Sequence, residues 1–208
     1  NESDAFCERG KIFQETNRNE ESILDFTNAI SLNPDDSEPF LLRAKEFIKI
    51  NFYKEALNDL SSALKINKKS TDTYLIRSDL YFQIEEYGKS LNDLTKAIKL
   101  SPNNFLLFEK RASVYSLLNL YQGARDDYLA CLRNDPLNVK YRYLLANSYF
   151  YCEENNNAIS AYSKVITLDK NHFDAFIGRG KAYILEMKLE DAFHDFQRAL
   201  DINPNRTE

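Results

Sequence analysis

Prolines stand at Pro34, Pro102, Pro136 and Pro204, and every interval between them is a multiple of 34 residues. The positions where the series skips hold Lys68 and Lys170. The residues in between keep the same spacing. Small side chains fall at Gly10, Ala44, Ser78, Ala112, Ala146 and Gly180, and again at Ser22, Ala56, Ser90, Ala124, Ala158 and Ala192. Large ones fall at Phe6, Phe40, Tyr74, Phe108 and Phe176, with Arg142 standing in the fifth copy. Aromatic rings recur at Phe13, Phe47, Tyr81, Tyr115, Tyr149 and Tyr183. Two further columns read Phe26, Leu60, Leu94, Tyr128, Tyr162, Phe196 and Ala29, Ala63, Ala97, Cys131, Val165, Ala199. Such a period constrains the fold more than any other feature, because a repeated unit must pack chiefly on its own neighbours.

Each 34-residue unit holds two apolar-periodic segments of about three turns, the usual length of a helix. Small side chains let two antiparallel helices approach, and large ones fill the space between them. The proline after the second segment stops it from continuing, since it has no N–H to donate. One hairpin cannot bury both its faces, so successive hairpins stack.

The columns resemble those of the tetratricopeptide repeat (TPR) family, over essentially the whole chain. Six units run 3–36, 37–70, 71–104, 105–138, 139–172 and 173–206. The resemblance implies an all-α fold, an α-solenoid of 12 helices wound as a right-handed superhelix, with residues 1–208 forming a single array. It also implies that the first helix of each unit, helix A, lines a concave wall. The chain lacks an initiator Met, which suggests a piece of a longer protein.

Arginine recurs at Arg9, Arg43, Arg77, Arg111 and Arg179, and aspartate sixteen residues later at Asp25, Asp59, Asp93, Asp127 and Asp195. The fifth unit has Leu145 and Ala161 in these columns. The two charges are present together or absent together, which points to pairing inside one unit. Pairing to the preceding unit would leave Asp127 facing Leu145. Loss of a whole buried pair is often neutral, whereas loss of one partner costs about 3–5 kcal/mol. These residues read as structural ion pairs.

Ligands of TPR proteins lie along helix A. Here the matching columns give Leu41, Leu42, Lys45 and Ile48, then Leu75, Ile76, Asp79 and Phe82. The later units give Lys140, Tyr143, Asn147 and Phe150, then Ile177, Lys181 and Ile184. Units one and four are polar there, with Cys7, Glu8, Gln14, Glu109, Lys110 and Ser116. Two readings stand. The apolar residues are covered by the next helix A, or they form a partner surface with a rim of mixed charge.

Other chemistry is argued against. A net charge of −5 and a pI near 5.3 oppose a phosphate-binding surface, so no nucleic acid is expected. No apolar run approaches the roughly 18 residues of a membrane span, so no membrane is expected either. Three cysteines, Cys7, Cys131 and Cys152, lack metal-ligand spacing and fit a reducing, cytoplasmic setting. The branch of the family that clamps the C-terminal carboxylate of the Hsp70 and Hsp90 chaperones needs lysine in the Leu41 column, where none occurs. Only Asn147 matches that clamp. His172 and His194 read as solvated, the glycines form no phosphate loop, and neither an enzyme nor a cofactor is expected.

The chain therefore reads as a non-catalytic scaffold that binds a peptide or helical segment of a protein partner in its groove. The alternative is a structural array that self-associates through its ends, where Phe193, Leu200 and Ile202 would otherwise leave an apolar face in water. The fifth unit departs most, through Arg142, Leu145 and Ala161. Its departure reads either as drift or as a locally softer unit that alters the superhelix curvature or meets a partner through Arg142, Tyr143 and Tyr151.

Overall fold

The computed structural model describes residues 2–204. They form twelve α-helices, with no strand among the described residues. In order these are α1 (Glu2–Glu15), α2 (Asn19–Leu32), α3 (Ser37–Lys49), α4 (Tyr53–Ile66), α5 (Thr71–Gln83) and α6 (Tyr87–Leu100). There follow α7 (Phe105–Leu117), α8 (Tyr121–Asn134), α9 (Val139–Tyr151), α10 (Asn155–Leu168), α11 (Phe173–Leu185) and α12 (Leu189–Ile202). Odd-numbered helices are the A helices and even-numbered ones the B helices. The chain divides into two compact units, Asn1–Asn103 with α1–α6 and Asn104–Glu208 with α7–α12. Within each, every A helix packs on its own B helix, and each B helix packs on the A helix that follows, as α2 on α3 and α8 on α9.

Local chemistry sets the helix ends. Asp36, Ser70, Asn138 and His172 cap A helices, each side chain accepting a backbone N–H from the first turn. The B helices start without such caps. Their entry is built by the end of the A helix instead. The amides of Arg18, Phe52, Glu86, Leu120, Glu154 and Lys188 each donate to a carbonyl five residues back, at 2.8–3.0 Å. The residue before each donor, Asn17, Asn51, Glu85, Asn119, Glu153 or Met187, has a φ of 56–62°. This is the Schellman arrangement, in which a left-handed residue closes the helix and is most often glycine. Asparagine tolerates that conformation, but longer side chains pay for it. Met187 is 80% exposed and therefore has little packing to lose. Met187→Gly is expected to stabilise the chain by about 1 kcal/mol, read as a higher midpoint in urea. An unchanged or lower midpoint would show that the turn is not strained.

Both glycines of the small column face a phenylalanine: a Cβ added at Gly180 would lie 2.7 Å from Cε1 of Phe196, and one at Gly10 would lie 2.6 Å from Cε1 of Phe26. Elsewhere the column admits a Cβ, with Ala44 packed in the Leu60 core and Ala112 and Ala146 in those of Tyr128 and Tyr162. The cores are correspondingly local: Ala44, Ala56, Leu60 and Leu80 in the first unit, and Ala146, Ala158, Tyr162, Val165 and Ala182 in the second.

Candidate functional site

Each repeated arginine makes a two-pronged contact with the aspartate sixteen residues on. In the first unit Nε and Nη2 of Arg43 donate to Asp59 at 2.8 and 2.8 Å, and those of Arg77 to Asp93 at 2.6 and 2.8 Å. Arg9 meets Asp25 at 2.7 and 2.8 Å. In the second, Arg111 meets Asp127 at 2.8 and 2.8 Å, and Arg179 meets Asp195 at 2.8 and 2.7 Å. The aspartates are buried, at 1–7% side-chain exposure. The hydrogen bonds donated to Asp195 hold the Arg179 guanidinium above its ordinary pKa, against the opposing effect of burial. Arg9 differs in being 58% exposed.

Two further partners complete the setting. The third guanidinium nitrogen, Nη1, reaches back to a hydroxyl on the preceding B helix: Arg43 to Thr27 at 2.9 Å, Arg77 to Ser61 at 3.1 Å and Arg179 to Ser163 at 2.9 Å. Each guanidinium also lies between two rings of its own helix, as Arg77 does at 5.9 Å from Tyr74 and 5.8 Å from Tyr81. Sequence reasoning missed the hydroxyl, although its column carried the signal. It reads Thr27, Ser61, Thr95, Leu129 and Ser163, so it turns apolar just before Leu145.

The helix A residues proposed as a partner surface fall into two groups, one in each compact unit. In the first unit Leu41, Ile48 and Ile76 are half-buried against the Ala44–Leu60–Leu80 core, and Leu42 packs on the Cys7–Phe26–Ala29 cluster. Lys45 and Leu75 are also half-buried, Asp79 is exposed, and Phe82 is 40% exposed. Each of these apolar residues shows one side and buries the other. Cys7, counted among the polar groove residues, is instead a core residue at 6% exposure. It sits against Phe26 and Ala29, which removes it from any surface.

In the second unit five of the seven candidates come together. Tyr143, Asn147 and Phe150 on α9 face Ile177 and Lys181 on α11 across a recess of about 190 Å³. Tyr151, Asp174, Gly178 and Tyr162 complete its wall. Tyr162 reaches in from α10, and its hydroxyl donates to Oδ1 of Asn147 at 2.7 Å. Gly178 makes room for that ring, since a Cβ there would lie 2.7 Å from Tyr162 Cε1. His172 was expected to be solvated. It is instead half-buried, its ring tilted against Tyr143 at 4.9 Å between centroids while its Nδ1 caps α11. Lys140 and Ile184 lie outside the recess. Ile184 is 44% exposed, and Lys140 donates to Glu109 at 2.7 Å. That contact, with a further hydrogen bond from Tyr141, lowers the Glu109 pKa below the usual carboxylate range.

Among the described residues no group of histidine, cysteine and carboxylate side chains is placed to hold a metal ion. The three cysteines are free, and burial pushes the thiols of Cys7 and Cys131 up to about 11, away from reactivity.

Residues 3–36, 71–104 and 139–172, the first, third and fifth of the 34-residue units, each match the tetratricopeptide repeat family. The chain is a tetratricopeptide repeat protein. Solved TPR structures share its fold at low sequence identity. YrrB, a TPR protein with an unusual peptide-binding site, superposes with a TM-score of 0.75 at 23% identity, over 87% of this chain and 93% of that one. MamA from Desulfovibrio magneticus RS-1 gives 0.68 at 17% identity, over 83% and 97%. A stretch of 82 residues, 39% of this chain, is 30% identical to a UDP-N-acetylglucosamine--peptide N-acetylglucosaminyltransferase of Giardia intestinalis. It spans only 6% of that enzyme's length.

Within the TPR frame, Gly178 and Tyr162 are the groove residues that sequence reasoning passed over. The signal was present for the glycine. Its column otherwise reads Glu8, Leu42, Ile76, Lys110 and Leu144, so a glycine there marks a neighbour that needs the space. Asn147, the one match to a chaperone-type clamp, already accepts the Tyr162 hydroxyl.

Proposed function

We propose that this TPR chain is a non-catalytic scaffold that binds a peptide or short helical segment of a partner protein along the A-helix faces of a single six-repeat array. One observation carries the reading. Apolar side chains stand half-exposed on consecutive A helices, and in the second unit Tyr143, Phe150 and Ile177 share a recess with the amide of Asn147, the cation of Lys181 and the carboxylate of Asp174. A largely polar recess bordered by apolar side chains suits a segment whose backbone and polar groups are hydrogen-bonded while its apolar side chains rest on the neighbouring A-helix residues. The free thiols fit a reducing, intracellular setting. Among the described residues no helix is long and apolar enough to cross a membrane.

The test is selection of binders from a displayed random-peptide library, followed by titration against variants. Phe82→Glu and Ile184→Glu alter the most exposed of these side chains and should leave the chain folded with cooperative melting, while Ile177→Glu places a charge in the recess. The selected peptides should bind at least about tenfold more weakly to one or more of these variants. Peptides that bind all three as well as the parent chain would refute the assignment.

A second reading rests on α12, where Leu189, Phe193 and Leu200 are 59%, 65% and 52% exposed. An apolar face of that kind supports self-association. Sedimentation of the parent chain and of Phe193→Glu separates it from peptide binding.

A further inference from the structure

The fifth repeat contains an opening on the side of α9 away from the recess. Its floor is formed by Leu129 and Leu132 of α8, Leu145 of α9 and Ala161 of α10, and Arg142 and Lys164 stand in its wall. The cavity volume is about 300 Å³, within the range of small ligand pockets. Residues 142 and 145 lie about three residues apart on one stripe of α9, and residues 143, 147 and 150 occupy a stripe turned far around the helix. The two openings are therefore separate.

The cavity has a definite origin. In the other repeats this volume holds the arginine, its aspartate, the hydroxyl of the preceding helix and the first of the two flanking rings. Here all four are replaced at once, by Leu145, Ala161, Leu129 and Arg142. Leu145 and Ala161 remain buried, at 6% and 9% exposure, so the floor is apolar. The cation has moved from the floor to the wall. Arg142 is held by the carbonyl of Pro136 through Nε and Nη2, which leaves Nη1 uncommitted. Neither Arg142 nor Lys164 has a carboxylate partner among the described residues. An apolar floor beneath two unpaired cations is complementary to an apolar group that carries a carboxylate.

We propose that this pocket is a second binding site, which takes an apolar monocarboxylate with a branched aliphatic or aromatic group on the floor and its carboxylate between Arg142 and Lys164. The ligand could be a free acid or the C-terminal residue of a partner chain, and the chemistry is the same. The proposal does not depend on the A-helix groove.

The test is an amide chemical-shift titration with three probes: 4-phenylbutyrate, a short peptide ending in phenylalanine with a free carboxylate, and the same peptide as its C-terminal amide. Saturable shifts should centre on Leu129, Leu145 and Ala161, and the amide-capped peptide should bind at least about tenfold more weakly than the free form. Arg142→Gln should weaken binding by a similar factor. The triple variant Leu129→Ser, Leu145→Arg, Ala161→Asp restores the ion pair and the hydroxyl of the other repeats and should abolish binding. Binding by the peptide alone would identify the source as a partner chain, and binding by the free acid alone a small metabolite. Equal binding of the capped and free peptides, binding that survives Arg142→Gln and the triple variant, or no saturable shift with any probe would overturn the proposal. Arg142→Gln alters a half-exposed side chain, so it decides the matter even if the triple variant fails to fold.

Discussion

Arg77→Ala is expected to lower the stability of the chain by about 3–5 kcal/mol, because it strands the carboxylate of Asp93 in a site where that side chain is 1% exposed. The truncation removes two hydrogen bonds to Asp93, one to Ser61 and the contacts with Tyr74 and Tyr81. The fifth repeat shows how the cost is avoided. Changing Arg77→Leu, Asp93→Ala and Ser61→Leu together copies its apolar set and should recover most of the loss, since no charge is left without a partner. Urea unfolding of the single and triple variants measures both. A triple variant that unfolds at lower urea than Arg77→Ala would show that the three residues do not act as one unit.

The second large effect has the opposite sign. Glu46→Leu is expected to stabilise the chain by about 1–4 kcal/mol. The Glu46 side chain is completely buried on α3, with Oε1 accepting from Gln14 of α1 at 2.7 Å and from Lys49 at 2.7 Å. Its other oxygen, Oε2, has no hydrogen-bond partner among the described residues. A buried acceptor left unsatisfied costs free energy that hydration would otherwise supply. The same column is filled by Leu80 at 2% exposure and Val114 at 1%, so the site in this architecture accepts an apolar side chain. Lys49 is 41% exposed and can return to water. A loss of stability in Glu46→Leu would mean that the contacts with Gln14 and Lys49 outweigh the stranded oxygen.

These two cases show what is readable from a repeated sequence. A contact between two residues of one hairpin is copied with the hairpin, so its two columns change together, as at Leu145 and Ala161. A contact that joins one hairpin to the next is copied with a shift of one unit. The hydroxyl of Thr27, Ser61 and Ser163 belongs to that second kind and is visible only once the preceding helix is placed beside the arginine. Glu46 stands in a column that otherwise reads Ile12, Leu80, Val114, Ser148 and Ala182, so the period marks it as out of place but does not give the partners it finds. Its burial follows from how α1 and α3 lie together.

The sequence by itself determined the length of the repeat, the two helices in each unit and their order, and its prolines marked where four of the six second helices stop. These follow from backbone geometry and from small and large side chains facing each other within a hairpin. It also marked one side of the A helix as partly apolar in units two, three, five and six. Only the tertiary structure decided that Cys7 is core, that Tyr162 enters the α9–α11 recess through the space left by Gly178, and that the fifth repeat encloses a cavity. Periodicity assigns a side chain to a face of its helix. How far that side chain reaches, and whether the volume around it is filled, depends on neighbours whose distances the repeat pattern does not specify.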